Sequence, residues 1–140
     1  MRVLLDTDVI LDFLLERTPF FEPASELLEL NANGIFDAYI SAITPVNVFY
    51  IGRKVVGASN IRQGIAGLLR LVRISSVTQE SLEKALGLPF ADYEDAVQHA
   101  VASSNGMEAI VTRDISDYKN ATLPVFSPPD FLTKLKMESK

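Results

Sequence analysis

Acidic side chains interrupt apolar sequence near the start of the chain. The apolar run from Val3 to Leu5 ends at Asp6, and Asp8 and Asp12 follow within sequence that otherwise has the character of a buried segment. Charged carboxylates are rarely buried unless a partner compensates their charge. The acids that we consider together are Asp6, Asp8, Asp12, Asp92, Glu94, Asp95, Asp114 and Asp117.

Carboxylates gathered in one cleft favour a bound divalent cation. They repel one another and raise each other's pKa values, and a cation removes that cost. The chain has no cysteine, so oxygen ligands favour Mg²⁺ or Mn²⁺ over Zn²⁺. A carboxylate-bound Mg²⁺ can activate water and neutralise a phosphodiester in its transition state. We therefore interpret these acids as candidate ligands of a divalent metal ion.

Taken singly, most of these acids also have a structural explanation. Asp8 and Asp92 each fit the N-cap of a helix, and Asp95 would complete a capping arrangement with Asp92. Asp6 and Asp114 are harder to explain in this way, because each closely follows a buried strand. The acids that fit solvated or loop positions are Asp12, Glu94 and Asp117.

The hydrophobic pattern predicts strands that alternate with helices. The predicted strands are 3–5, 36–42, 72–77, 108–112 and 123–127. The predicted helices begin at Asp8 and at about Thr44 and cover 22–30, 60–71, 78–86, 92–106 and 128–137. This alternation is typical of an α/β fold with a parallel sheet and helices on both faces. Without repeats or a linker, we expect a single domain over residues 1–140.

This fold class predicts where the acids meet. In open parallel sheets, ligands bind beyond the carboxyl ends of the strands. Asp6 and Asp114 both occupy that position, and they lie close together if the first and fourth strands are neighbours. The helix that begins near Asp92 immediately precedes the fourth strand, so its amino end can lie at the same edge. We therefore expect Asp6, Asp95 and Asp114 to converge.

Composition limits the partners and the compartment. The net charge of −5 excludes a strongly basic coat for nucleic acid, so a polyanion would need a metal or a local basic patch. The acids near the start argue against a signal peptide, and no apolar run approaches the roughly 20 residues that span a bilayer. With no cysteine, the chain fits a reducing cytosol, so we expect a cytoplasmic protein without a membrane partner.

Four motifs, in this order, resemble the PIN-domain family, in particular the VapC-type ribonuclease toxins of toxin–antitoxin pairs. They are "VLLDTDVILD", "SAITPVNVFYI", "DYEDAVQHAVA" and "IVTRDISDY". The resemblance covers nearly the whole chain. It implies a Rossmann-like three-layer α/β/α fold with a central parallel sheet. It also implies Mg²⁺- or Mn²⁺-dependent cleavage of single-stranded or structured RNA, an antitoxin protein as partner, and a homodimer as a further form to test.

The resemblance assigns roles to single positions. Asp6 matches the first catalytic acid, Asp95 the acid on the later helix, and Asp114 the acid after the fourth strand. These three would be both catalytic residues and metal ligands. Asp117 matches a further acid that often completes the metal site, and Thr112 matches the residue that commonly shapes the strand end.

Other positions would support the site. Asn47 stands where the family usually has a glutamate, which resembles a subgroup in which asparagine is common. Its neutral amide offers a single carbonyl oxygen, so a weaker metal site is expected. Asp92 would support the site from its cap position. Arg113, beside Asp114, is the residue that we expect to contact an RNA phosphate. We interpret His99, the only histidine, as a surface or partly buried residue rather than a catalytic base.

Three functions compete. The first is a metal-dependent endoribonuclease that is the toxin of a toxin–antitoxin pair. The second is a PIN-like domain that binds RNA or a partner with weak or no cleavage, as Asn47 would allow. The third, a phospho-accepting receiver domain, needs an aspartate after its third strand, where this chain has Thr78 and Gln79. Nucleotide-binding glycine motifs are also missing from the sequence.

Overall fold

The computed structural model describes residues 1–138 and contains a parallel sheet of five strands. The strands are β1 (Arg2–Leu5), β2 (Asp37–Ser41), β3 (Arg73–Ser75), β4 (Ala109–Val111) and β5 (Val125–Phe126). Their order across the sheet is β3-β2-β1-β4-β5, and every neighbouring pair is parallel. The first and fourth strands are neighbours, which is the condition under which Asp6 and Asp114 were expected to lie close together.

Helices connect the strands as the hydrophobic pattern predicts. They are α1 (Thr7–Leu14), α2 (Phe21–Ala32), α3 (Thr44–Val56), α4 (Ala58–Leu71), α5 (Gln79–Leu86), α6 (Tyr93–Ser104) and α7 (Pro128–Glu138). A short 3-10 turn, Ile115–Tyr118, follows β4. Among residues 1–138, no helix is long and apolar enough to cross a membrane.

One helix start differs from the prediction. Asp6, not Asp8, caps α1, since the Asp6 carboxylate accepts the backbone N–H of Thr7 at 2.7 Å. Asp8 instead lies in the first turn of α1. The two aspartates are separated by one residue, and the end of β1 determines which of them can cap. Because β1 runs to Leu5, the helix starts two residues earlier than a cap at Asp8 would require.

The sheet separates two apolar layers. Val3 and Leu5 point into a core formed with α1, α2, α3, α4 and α7, whereas Leu4 and Ile110 pack on the opposite face against residues of α6 and the turn at Tyr118. Helices α5 and α6 pack together on that second face. The arrangement is the predicted three-layer α/β/α fold. Each fully buried leucine contributes about 1.5–3 kcal/mol to folding.

Hydrogen bonds align the strand ends that carry the predicted site. The backbone N–H of Asp6 donates to the carbonyl of Val111 at 2.9 Å, and that of Thr112 donates to the carbonyl of Phe126 at 3.0 Å. The carboxyl ends of β1, β4 and β5 are therefore level with one another. Residues just after these strands, including Asp6 and Asp114, share one edge of the sheet.

Candidate active site

The carboxyl ends of β1 and β4 and the amino ends of α1 and α6 surround a cleft of about 220 Å³. Its acidic lining consists of Asp6, Asp8, Asp92, Glu94, Asp95, Asp114 and Asp117. The cleft thus brings together the three residues predicted to be catalytic, Asp6, Asp95 and Asp114, and the further predicted ligand Asp117. Asp8 and Glu94, which the sequence left as a cap and a solvated residue, also lie here.

Asp6 is held at the floor of the cleft with only 6% of its surface exposed. Its Oδ2 accepts the hydroxyl of Thr112 at 2.9 Å and that of Tyr118 at 3.2 Å, and its Oδ1 accepts the side-chain amide of Gln98 at 3.4 Å. Burial, reinforced by the charge of Asp8, raises the pKa of Asp6 to about 7. These hydrogen-bond donors fix the carboxylate in place, but they do not offset the rise in pKa that burial causes.

Asp95 approaches Asp6 from the first turn of α6. Asp92 caps this helix as predicted, since its carboxylate accepts the backbone N–H of Asp95 at 3.0 Å. Burial, followed by the charges of Asp92 and Asp117, raises the pKa of Asp95 to about 7. The hydroxyl of Tyr118 lies 3.5 Å from Oδ1 of Asp95, so one buried phenol bridges the Asp95 and Asp6 carboxylates. The sequence analysis did not identify Tyr118.

Thr112 organises the other side of the cleft. Besides its contact with Asp6, its hydroxyl lies 3.3 Å from Oδ2 of Asp8 and accepts the backbone N–H of Asp114 at 3.1 Å. Burial raises the pKa of Asp8, the backbone N–H of Arg113 opposes that shift, and the nearby charge of Asp114 adds to it. Thr112 therefore sets the positions of three acids, consistent with the supporting role that the resemblance implies.

The carboxylates line one cleft, but they are not arranged around one metal position. Among the described residues, 1–138, no group of three or more His, Cys, Asp or Glu side chains is arranged to hold a metal ion. Protein donors occupy Asp6 instead, and like charges favour separation when nothing lies between them. The site is therefore a set of acids held near one another rather than a finished coordination shell.

Asn47 contacts this cleft through Glu94. The side-chain amide of Asn47 donates to Oε2 of Glu94, and the hydroxyl of Thr7 donates to the same oxygen at 3.3 Å. The interpretation of Glu94 as a solvated residue is wrong, because these two donors hold its carboxylate against the cleft. Asn47 supplies a donor to a carboxylate here, not an oxygen ligand. No sequence pattern links two residues 47 positions apart, so this pair was not predictable.

Arg113 is engaged in a buried ion pair. Asp12 is 1% exposed, and its carboxylate lies 3.0 Å from Nε of Arg113 and 2.9 Å from Nε of Arg17. The interpretation of Asp12 as solvated is wrong, because two guanidinium groups compensate its charge inside the protein. The Arg113 side chain remains about one-third exposed and stacks over the ring of Phe20 at 4.0 Å. Its contact with an RNA phosphate stays a prediction.

His99 does not face the acids. The side chain is buried, and its Nε2 accepts the backbone N–H of Thr122 at 3.0 Å, while its ring packs beside Phe90. The predicted surface or partly buried position underestimated the burial of His99, because the segment at Thr122 covers this side of α6. Burial lowers the pKa of His99, which favours a neutral structural residue.

Comparison with known proteins decides the family. The family model described as PIN domain matches residues 2–116. The chain belongs to the PIN-domain family. That match includes Asp6, Asp95 and Asp114 but ends one residue before Asp117. No curated protein sequence matches the chain.

Several solved structures have the same fold as this chain. A DNA-bound VapBC from Salmonella typhimurium matches with a TM-score of 0.71 at 17% identity, covering 91% of this chain and 98% of that chain. VapC20 from Mycobacterium tuberculosis, a toxin that cleaves the sarcin–ricin loop, matches with 0.68 at 15%, covering 86% and 98%. FitAcB from Neisseria gonorrhoeae matches with 0.65 at 23%, covering 90% and 97%. At these identities the likeness shows the PIN fold.

Proposed function

We propose that this PIN-domain chain is a metal-dependent endoribonuclease and the toxin of a toxin–antitoxin pair. The observation that carries the proposal is the gathering of Asp6, Asp95 and Asp114 in one cleft at the carboxyl edge of the sheet. The structural likeness to VapC and FitB toxin–antitoxin proteins supports it. RNA, single-stranded or structured, is then the substrate.

The donor set of the cleft fits Mg²⁺ or Mn²⁺. The acids present hard oxygen atoms, no thiolate competes, and burial raises the pKa values of Asp6 and Asp95 to about 7, so a cation would relieve an existing electrostatic cost. Asp6, Asp95, Asp114 and Asp117 are the residues that would hold it. When bound, such a cation activates water and stabilises the charge that develops on a phosphodiester.

The chain's own residues prepare this site. Thr112 and Tyr118 donate to the Asp6 carboxylate, and the Tyr118 hydroxyl also lies 3.5 Å from Oδ1 of Asp95. Because the pKa values of both acids are raised to about 7, each exchanges a proton near neutral pH. Loss of those protons leaves two adjacent carboxylates, which attract a cation above neutral pH.

A second candidate is a PIN-like domain that binds RNA or a protein partner with weak or no cleavage. The observation that favours it is Asn47, whose neutral amide is directed at Glu94 and adds no charge to the cleft. An antitoxin and a second copy of the chain are the protein partners that we propose. Exposed apolar side chains on α3, namely Val46, Tyr50 and Val55, provide surface for such contacts.

A cleavage assay separates the two candidates. A 5′-labelled single-stranded RNA is incubated with the chain in Mg²⁺, in Mn²⁺ and in EDTA, and the products are resolved on a sequencing gel. The nuclease predicts internal cuts that disappear in EDTA and in Asp6→Asn. RNA retained in a gel-shift assay without any cuts would support the binding domain and overturn the nuclease.

A further inference from the structure

A second cavity lies at the same edge of the sheet as the acidic cleft and is lined by Arg113, the residue before Asp114. It has a volume of about 400 Å³ and is mainly apolar, which is within the range of small-molecule sites. The side chains of Phe20 and Arg113 line it, together with the four proline rings of Pro19, Pro23, Pro128 and Pro129. Neither the proposed metal site nor the core uses this cavity.

Arg113 connects the cavity to the cleft. Its backbone N–H lies 3.2 Å from Oδ2 of Asp8, and the following residue, Asp114, lines the cleft. Its side chain points the other way, onto Asp12 and over the ring of Phe20. A polymer whose phosphate lies in the cleft can therefore place a neighbouring group in the cavity.

The ion pairs at Asp12 fix the orientation of the guanidinium group. Nε and Nη2 of Arg113 lie 3.0 and 3.2 Å from the two carboxylate oxygens of Asp12, so this edge of the planar group is held. The carbon of the guanidinium lies 4.0 Å from the centre of the Phe20 ring. A preformed stack of an aromatic ring and a guanidinium plane thus lines the cavity.

Two guanidinium groups lie beside the cavity, but acids offset their charges. Arg17 and Arg113 pair with the carboxylate of Asp12, and the backbone N–H of Arg113 contacts Asp8. The side chain of Arg113 is about one-third exposed and therefore accessible to a phosphate. The proline rings add rigid apolar walls without backbone N–H donors. An aromatic ring, an exposed guanidinium group and apolar walls are the features that hold an unpaired nucleobase and its phosphate.

We propose that this cavity, the Phe20–Arg113 pocket, binds a nucleobase of the RNA strand next to the phosphate in the acidic cleft. The inference rests on the proposed ribonuclease function and adds a substrate-binding subsite to it. The base extends the stack of Phe20 and Arg113. Ser127 also lines the pocket, and because its Oγ accepts the N–H of Asp130 at 3.2 Å, its hydroxyl hydrogen remains available to an acceptor on the base edge.

Phe20→Leu tests the pocket, because leucine keeps an apolar side chain and removes only the ring. Stacking on an aromatic ring contributes to the affinity for a base, and Arg113 remains in the pocket, so we expect KM for a single-stranded RNA to rise about fivefold to tenfold. The value of kcat should stay within about twofold, since the acids are untouched. Phe20→Trp should restore KM. Leu86→Ala, which shortens an exposed apolar side chain on α5, is the control and should leave KM unchanged.

Photo-cross-linking gives a readout that does not need cleavage. A single-stranded RNA carrying 5-iodouridine is irradiated with the wild-type chain, and cross-linked peptides are identified by mass spectrometry. The pocket predicts a cross-link within residues 18–23. Melting curves of each variant check that it is folded, and the wild-type cross-link provides a result even if Phe20→Leu does not fold.

The outcomes separate the subsite from the proposed function. Cleavage by the wild type, with wild-type KM in Phe20→Leu and no cross-link at residues 18–23, overturns the subsite alone. A pocket that serves a protein partner would give this same result. A cross-link at Phe20 without any cleavage overturns the nuclease and keeps the subsite. If the wild type shows no cleavage and no cross-link, both the nuclease and the subsite are overturned.

Discussion

Replacing Asp6 with asparagine should stabilise the metal-free protein, and the gain should depend on pH. Burial raises the pKa of Asp6 from 3.8 to about 7. A carboxyl whose pKa is raised in the folded state contributes stability at low pH, and this contribution is lost as the pH rises through about 7. Integrating the linkage between pH 5 and pH 8 gives a loss of about 2–3 kcal/mol for the wild-type chain.

Asparagine carries no charge at either pH, so Asp6→Asn should avoid that loss. Its carbonyl can still accept the N–H of Thr7, and the hydroxyls of Thr112 and Tyr118 can turn to accept from its amide. We therefore expect the free energy of unfolding of Asp6→Asn, relative to wild type, to increase by about 2–3 kcal/mol between pH 5 and pH 8. Cleavage of RNA should be lost in the same variant.

Urea unfolding in EDTA at pH 5, 6.5 and 8 measures this difference. The matched control is Asp37→Asn, which removes the charge of an exposed aspartate on β2 outside the cleft and should not reproduce the gain of Asp6→Asn. If the stability difference between Asp6→Asn and wild type is the same at all three pH values, burial does not raise the pKa of Asp6, and the electrostatic reasoning about the cleft fails.

Three further predictions concern the same cleft. Asn47→Glu places a second carboxylate against Glu94, so it should lower the melting temperature in EDTA and tighten Mg²⁺ binding. If calorimetric titration shows unchanged Mg²⁺ affinity and the melting temperature does not rise with Mg²⁺, position 47 does not act on the site. Tyr118→Phe removes the hydroxyl that lies between Asp6 and Asp95, and it should lower the free energy of unfolding in urea by about 1–2 kcal/mol at pH 8 and by less at pH 5. An equal decrease at both pH values would argue against an ionised carboxylate as the partner of this hydroxyl. Added Mg²⁺ should raise the wild-type melting temperature more at pH 8 than at pH 5.5, because protons compete for Asp6 and Asp95, whose pKa values are about 7, and a gain that is larger at pH 5.5 would contradict this competition.

The sequence predicts the fold and the positions of the principal acids because both follow from local patterns. A buried apolar run followed by an acid places Asp6 and Asp114 at strand ends, and the cap signal at Asp92 places Asp95 in the first turn of α6. The strand order that places β1 beside β4 does not follow from the alternation of strands and helices, and it comes from the structure.

Contacts between residues distant in sequence were not predictable. Asp12 has the sequence context of a solvated residue because its partner Arg113 lies 101 positions away, and Glu94 lacks any local sign of its contact with Asn47. Tyr118 has the sequence context of a loop residue, and only the packing of the 3-10 turn beneath β1 and α6 brings its hydroxyl to Asp6. These residues tune the charge of the site, so the sequence located the cleft but not its electrostatics.

Locating a bound Mn²⁺ ion tests the central claim most directly. Crystals of the wild-type chain are grown or soaked with Mn²⁺ near pH 8, and diffraction is measured at the manganese absorption edge. The account predicts an anomalous peak in the cleft, at about 2.0–2.2 Å from carboxylate oxygens of at least two of Asp6, Asp95 and Asp114, comparable to Mg²⁺ coordination. Crystals that bind Mn²⁺ only outside the cleft, or not at all at millimolar concentration, would contradict a metal-dependent nuclease site.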